Sequence, residues 1–350
     1  MIDGKMVSLL QGDSGSYCHL CHNSRNDANN VVVIADGFDI TKSYQTCKKA
    51  WDKLVNNEIV YKSSERQGQC HPHLVEGDLH CFAILHFKLR SLDFAQKILY
   101  RLECSQYDWR DDGLPSDMAR ILKGAKQRCI DHVRHKAEIL MDTPGPNGGN
   151  TNNGPLADRF FHPSNRTKIS SVIKNSKDRE NFEIFMAHTN IILTITQSIT
   201  KKKVKISKLT THGIELMLHL RNSFLDHRGK PWIMIIPSFH QMCAHSWEMF
   251  EMNGGQSIAK WSESPVECWN KHVRSFQSGP AARSRQSSVK YNIHDVLKRM
   301  LVMTHPAITS RRPRPSCKIC GEVGHTARSF KHKLSFSQTE EQSIIESMYY

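Results

Sequence analysis

The sequence contains no apolar run approaching the ~18 residues that a membrane span needs. Its opening, MIDGKMVSLLQGDSG, has no basic segment followed by an apolar core. Neither a membrane protein nor an exported one is expected. Acidic residues are also in short supply, with 34 Asp and Glu against 48 Lys and Arg, a formal charge of +14. That imbalance points to polyanionic partners, the bland alternative being an inert basic surface. Segments that alternate in the manner of strands are few, so the chain reads as mainly α with a small β portion. What it does have is cysteine, 11 in 350 residues. A disulfide scaffold belongs to short exported chains, so these thiols are expected to be buried or metal-bound in a reducing compartment, nucleus or cytosol. The length suffices for one large or two medium domains with a real core.

Along the chain, Asp3-Gly4 reads as a turn. Cys18-His19-Leu20-Cys21 is either half of a zinc site or two buried thiols. A β-branched run, Val31 to Ile34, precedes a helix over about 43–56. Cys70, His71 and His73 lie in a polar connector and receive no role. Apolar residues Phe82, Leu85, Leu89, Leu92, Ala95, Leu99 and Leu102 recur at three and four, which predicts a helix over 82–103 with that stripe in the core. Weaker helical spacing covers 116–141. Residues 143–155 hold seven Gly or Pro and four Asn, predicting a loop between helical layers, as a linker or as backbone that approaches phosphates. Helices follow at 167–200 and 210–226, the second capped by Thr210 or Thr211 and burying Ile214, Met217, Leu218 and Leu220. The basic corner 201–208 between them is a solvated face or a phosphate contact.

The richest stretch runs from Pro231 to Arg274. Pro237 suits a first helical turn that continues to Met252. His240 and His245 on that helix are five apart, about 140° around an ideal helix, so joint ligation calls for an irregular first turn or a distorted helix. With Cys18 and Cys21 they make up a Cys2His2 set, the ligand number that structural zinc takes. Closing it would pin the N-terminal piece to the C-terminal helices. Glu267 stands in Ser264-Pro265-Val266-Glu267, which matches a capping box; alternatively it is a metal-binding acid paired with Asp3.

Asp3 in MIDGK, Cys18 and Cys21 in YCHLC, a long helical segment, His240 and His245 in FHQMCAH, and ECWNKHVR with Glu267, Asn270, Lys271 and Arg274 follow in an order that resembles the Transib transposases and the catalytic subunit of the vertebrate V(D)J recombinase. LHCF at 79–82, GGNTNNGPLADRFF at 148–161 and HDVLKRML at 294–301 extend the resemblance over most of residues 1–308. It implies the C-terminal part of a ribonuclease-H-like core of the Asp-Asp-Glu type, interrupted by a large helical, zinc-bridged insertion. Asp3 would be the second acid and Glu267 the last, both holding catalytic Mg2+ or Mn2+; Glu263 competes for the last place, but the spacing to Asn270 and Lys271 favours Glu267. Cys18, Cys21, His240 and His245 would hold structural Zn2+. Asn270, Lys271, Arg274, Arg283 and Arg285 would contact DNA.

The implied activity is nicking beside a terminal inverted repeat or recombination signal, followed by attack of the freed 3′-hydroxyl on the opposite strand to leave a hairpin. Homodimers, often with a propeller-type second subunit, are implied as well. The family's first acid and early strands lie upstream of the position that Met1 takes here, so this chain by itself is expected not to nick DNA. The alternative is a non-catalytic, transposon-derived, zinc-stabilised DNA-binding protein.

The expected layout is a segment 1–16 with the second acid, the insertion 17–262, a terminal catalytic helix region 263–308, a basic linker 309–316, a zinc knuckle 317–332 and a disordered tail 333–350. The linker, Ser310 to Pro315, reads as a nuclear import signal, which fits a nuclear protein. Cys317, Cys320 and His325 have knuckle spacing, a nucleic-acid-binding pattern. Phe330 stands where a fourth ligand is expected, with His332 as a substitute on a looser loop.

Overall fold

The computed structural model describes residues 18, 20–21, 23–40, 44–56, 84–110, 113–142, 152–198, 203–259 and 340–349. The chain divides into two compact units, Met1–Ser262 with Ile344–Tyr350, and Glu263–Ser343. The architecture below is that of the first unit. Its helices are α1 (Val31–Asp36), α2 (Tyr44–Val55), α3 (Ile84–Glu103), α4 (Ser116–Ala137), α5 (Gly154–Phe161), α6 (Pro163–Ser170), α7 (Ser176–Gln197), α8 (Ile206–Ser223) and α9 (Pro237–Met252); α10 (Glu340–Ser347) contributes its C-terminal half. Mainly α is therefore correct. The β portion amounts, among the described residues, to two isolated bridges, Leu225 with Pro231 and Val204 with Tyr349.

Helix α3 is the axis of the core. Of the predicted stripe Leu92, Ala95, Leu99 and Leu102 are buried, Leu85 and Leu89 are half-buried and Phe82 lies outside the described residues; Phe87, Phe94, Ile98 and Tyr100 are buried too, so the helix is covered on most sides. Even Arg101 is buried. Its Nε donates to the Asp108 carbonyl and its Nη2 to the Arg110 carbonyl at 3.0 Å, so the chain leaving the helix satisfies the guanidinium. Phe94 stacks on Phe239 of α9 at 5.0 Å and meets Phe185 of α7 edge-on at 5.9 Å, an aromatic knot that joins three helices.

Several boundaries differ from the sequence reading. Val31–Asp36 is helical despite its β-branched residues: the Asn30 side chain caps the Val32 amide at 3.0 Å, and Ile34 goes into the core. Tertiary burial overrides a short run's β preference. The span expected as one helix over 167–200 is two, α6 and α7, with Asn175 capping the second through the Asp178 amide at 3.1 Å. Helix α8 begins at Ile206, not at a threonine cap. Thr210 and Thr211 instead donate back to the carbonyls of Ile206 and Ser207, each at 3.0 Å, the usual hydroxyl bond of an in-helix threonine. The tail expected to be disordered contains α10, with Ile345 and Met348 buried. Asn153 caps α5 through the Leu156 amide at 2.9 Å, so the Gly-rich loop ends in a helix start; residues 143–151 lie outside the described residues.

Helices α8 and α9 lie in close contact. At Gly213 a Cβ would collide with the Cys243 carbonyl oxygen, so only glycine permits this approach. A tight turn between them returns the chain: the Asp226 carboxylate accepts from the Arg228 and Lys230 amides, both at 2.8 Å, and Gly229 takes φ 72°. The extended segment after it buries Ile233 and Ile235 and leads into α9.

Candidate metal centre

Pro237 starts α9 without a side-chain cap, and the helix is continuous to Met252. Both histidines point inward from it, His240 at 1% and His245 at 0% exposure. No distortion is needed to bring them together: the two imidazoles reach across the angular gap, with ring centroids 5.2 Å apart and planes at 85°. The Phe38 ring packs edge-on against His240 at 4.6 Å.

The cysteines arrive from the other end of the chain. Cys18 donates its amide to the Asn23 carbonyl at 3.0 Å, and Cys18 Sγ accepts from the Leu20 amide at 3.4 Å, which curls the C-x-x-C into a turn. Ser24 then donates both its amide and its hydroxyl to Asp27 Oδ2, each at 2.7 Å, which holds the short 3-10 turn Asp27–Asn29. Asn29 makes the long-range clasp. Its Oδ1 accepts from the Ile235 amide at 2.7 Å and its Nδ2 donates to the Ile235 carbonyl at 3.2 Å, so the N-terminal turn is fastened to the backbone just before α9.

The result is one buried cluster in which a donor atom from each of Cys18, Cys21, His240 and His245 lies within 4.8 Å of every other. Cys21 Sγ is 3.5 Å from His240 Nε2. Zinc takes sulfur at ~2.3 Å and imidazole nitrogen at ~2.0–2.1 Å, which puts S and N about 3.6 Å apart on a tetrahedral edge. His245 Nε2 is buried and has no hydrogen-bond partner, although burial of such a nitrogen costs free energy unless something satisfies it. Its other nitrogen, Nδ1, lies 2.6 Å from Glu248 Oε2, and Glu248 Oε1 accepts from the Ile40 amide. A carboxylate on the far nitrogen fixes the ring and turns the free nitrogen toward a metal. The residues therefore fit zinc.

Proton placement before metal binds follows from the same contacts. Burial pushes the Cys18 thiol far above its ordinary value, and its hydrogen bond to Cys21 holds Cys21 far below. Burial also keeps His240 neutral. At His245 burial opposes charge, but the neighbouring Cys21 sulfur and the Glu248 carboxylate outweigh it and raise the ring to about 9. Zinc ligands must be deprotonated, so a metal ion held here would release the protons that remain on these groups.

The C-x-x-C and the two histidines named from sequence are thus brought together. Glu248 was not foreseen, although it stands at i+3 from His245, on the same helix face. Asn29 carried no signal at all. Asp3, Glu263, Glu267, Asn270, Lys271, Arg274, Arg283, Arg285, Cys70, His71, His73, Cys317, Cys320 and His325 lie outside the described residues. Among the described residues no helix is long and apolar enough to cross a membrane. No model of a known protein family matches the chain, and no curated protein matches it.

Proposed function

We propose that the chain is the C-terminal part of a Transib-type, V(D)J-recombinase-like DNA strand transferase, and that the helical unit described above is its zinc-clamped insertion. One observation carries this reading: two donor pairs more than two hundred residues apart in sequence converge on one buried Cys2His2 cluster. That long-range closure is what the resemblance led one to expect. The zinc is structural in this reading, since four protein donors leave no position for substrate.

Asp3 and Glu267 would be two of the three acids that hold Mg2+ or Mn2+ within a ribonuclease-H-like core and bring an activated water to the phosphorus, so this chain by itself is expected not to nick DNA. Asn270, Lys271, Arg274, Arg283 and Arg285 would hold the DNA backbone, in keeping with the chain's charge of +14. The protein would act in the nucleus as a homodimer, with a propeller-type subunit as a second partner. Cys317, Cys320 and His325 would add a nucleic-acid contact.

The test is a plasmid-nicking assay in Mn2+, run on the chain as it stands and on the chain extended by the coding sequence preceding Met1 in its transcript. Nicking that disappears in Asp3→Asn and in Glu267→Gln supports the strand-transferase reading. DNA binding without nicking in either form leaves a zinc-stabilised DNA-binding protein. Absence of DNA binding overturns both.

A further inference from the structure

A second group of donors lies between α7 and α8, away from the Cys2His2 cluster. His188 of α7 stacks on His212 of α8 with centroids 4.4 Å apart and planes at 23°. Donor atoms of His188, His212 and Glu215 all lie within 4.8 Å of one another. His212 and Glu215 are i and i+3 on α8, so their side chains share one helix face.

Two features set this group apart from an ordinary pair of core histidines. His212 is 6% exposed, its Nε2 has no hydrogen-bond partner, and the same is true of the buried Nδ1 of His188. Burial of such nitrogens costs free energy unless something satisfies them. The Glu215 carboxylate gives the group its anionic donor.

We propose that His188, His212 and Glu215 form a second metal site, for a divalent first-row transition ion such as zinc, with open coordination positions. Two imidazoles and a carboxylate are a ligand set that such ions accept, and three protein ligands leave room for a further donor. His212 and Glu215 line a cavity of about 360 Å³ together with Ser207, Lys208 and Thr211. The open positions therefore take water or a small anionic oxygen ligand, with the Lys208 ammonium at hand to favour the anion. In-plane lone pairs of parallel rings do not converge, so ligation opens the stacked rings about their Cβ–Cγ bonds. Without metal the stack is a neutral contact between α7 and α8.

The experiment is a Co2+ titration of the full chain followed by absorption. The Cys2His2 cluster, and a knuckle at Cys317, Cys320 and His325 if it binds, give thiolate-to-cobalt charge transfer; a His2Glu site does not. The expected result is one cobalt equivalent bound beyond those that carry charge transfer. That equivalent is lost in Glu215→Gln and in His212→Gln, with charge-transfer intensity unchanged. Glu215 is exposed, so its variant tests the site without disturbing the core even if His212→Gln fails to fold. Absence of the extra equivalent in the wild type, or its persistence in Glu215→Gln, overturns the proposal.

Discussion

Cys21 Sγ lies 3.5 Å from His240 Nε2 across 219 positions of sequence. The pair joins the first described turn of the chain to α9, so whatever binds it also closes the helical unit.

Removal of one zinc ligand is expected to damage the fold as well as the site. Structural zinc contributes folding free energy outright, and at ~1–2 °C per kcal/mol for a chain of this size a loss of several kcal/mol lowers the unfolding midpoint by roughly 5 °C. Cys21→Ser should therefore lose one zinc equivalent in elemental analysis and melt correspondingly earlier, and a strong chelator should do the same to the wild type. Unchanged zinc content would refute the assignment.

Glu248 acts at one remove. Its carboxylate touches His245 and not the metal position. Glu248→Gln keeps an acceptor for the Ile40 amide but weakens the hold on the imidazole, so zinc affinity should fall ~10–100-fold with full occupancy still reached at high zinc. Competition against a chromophoric chelator measures it. An unaltered affinity would mean that the carboxylate orients nothing.

Gly213→Ala tests the packing of α8 on α9. The added methyl meets the backbone carbonyl of Cys243, which no side-chain rotation can clear. A cost of at least ~1–3 kcal/mol is expected, read as a drop in the urea midpoint with the slope unchanged.

Asp226 supplies a pH dependence. Amide hydrogen bonds, that from Lys230 above all, hold its carboxyl below the usual carboxylate range. A folded-state pKa lower than the unfolded one means that the turn's contribution is present above the ordinary value of ~3.9 and is lost as the pH falls through the lowered one. In an NMR titration the Asp226 carboxyl should titrate below free aspartate, and the Lys230 amide resonance should move in step with it. A carboxyl titrating at the ordinary value would show that the turn does not depend on its charge.

Much of the helical map was legible because helical periodicity is a local property. The start at Ser116 and the end at Glu103 match the spacing, and Pro237 marked the first turn of α9. The misses fall where a local preference met a tertiary demand. Val31–Asp36 became helical once Ile34 could be buried, and α10 gained order by burying Ile345 and Met348. Thr210 and Thr211 offered two local uses for a hydroxyl, and the fold took the one compatible with an earlier helix start.

By itself the sequence determined the chemistry on offer: two thiols at C-x-x-C spacing, two imidazoles on one helix, and a basic surface. Donor type and local spacing are written in the residues. Which donors meet was decided only by the tertiary structure. Asn29 clasps Ile235, Glu248 orients His245, and His188 reaches His212 across two helices. A metal site needs its donors at tetrahedral distances from one point, and for residues far apart in the chain only the packing of α3, α7, α8 and α9 around a common core sets those distances.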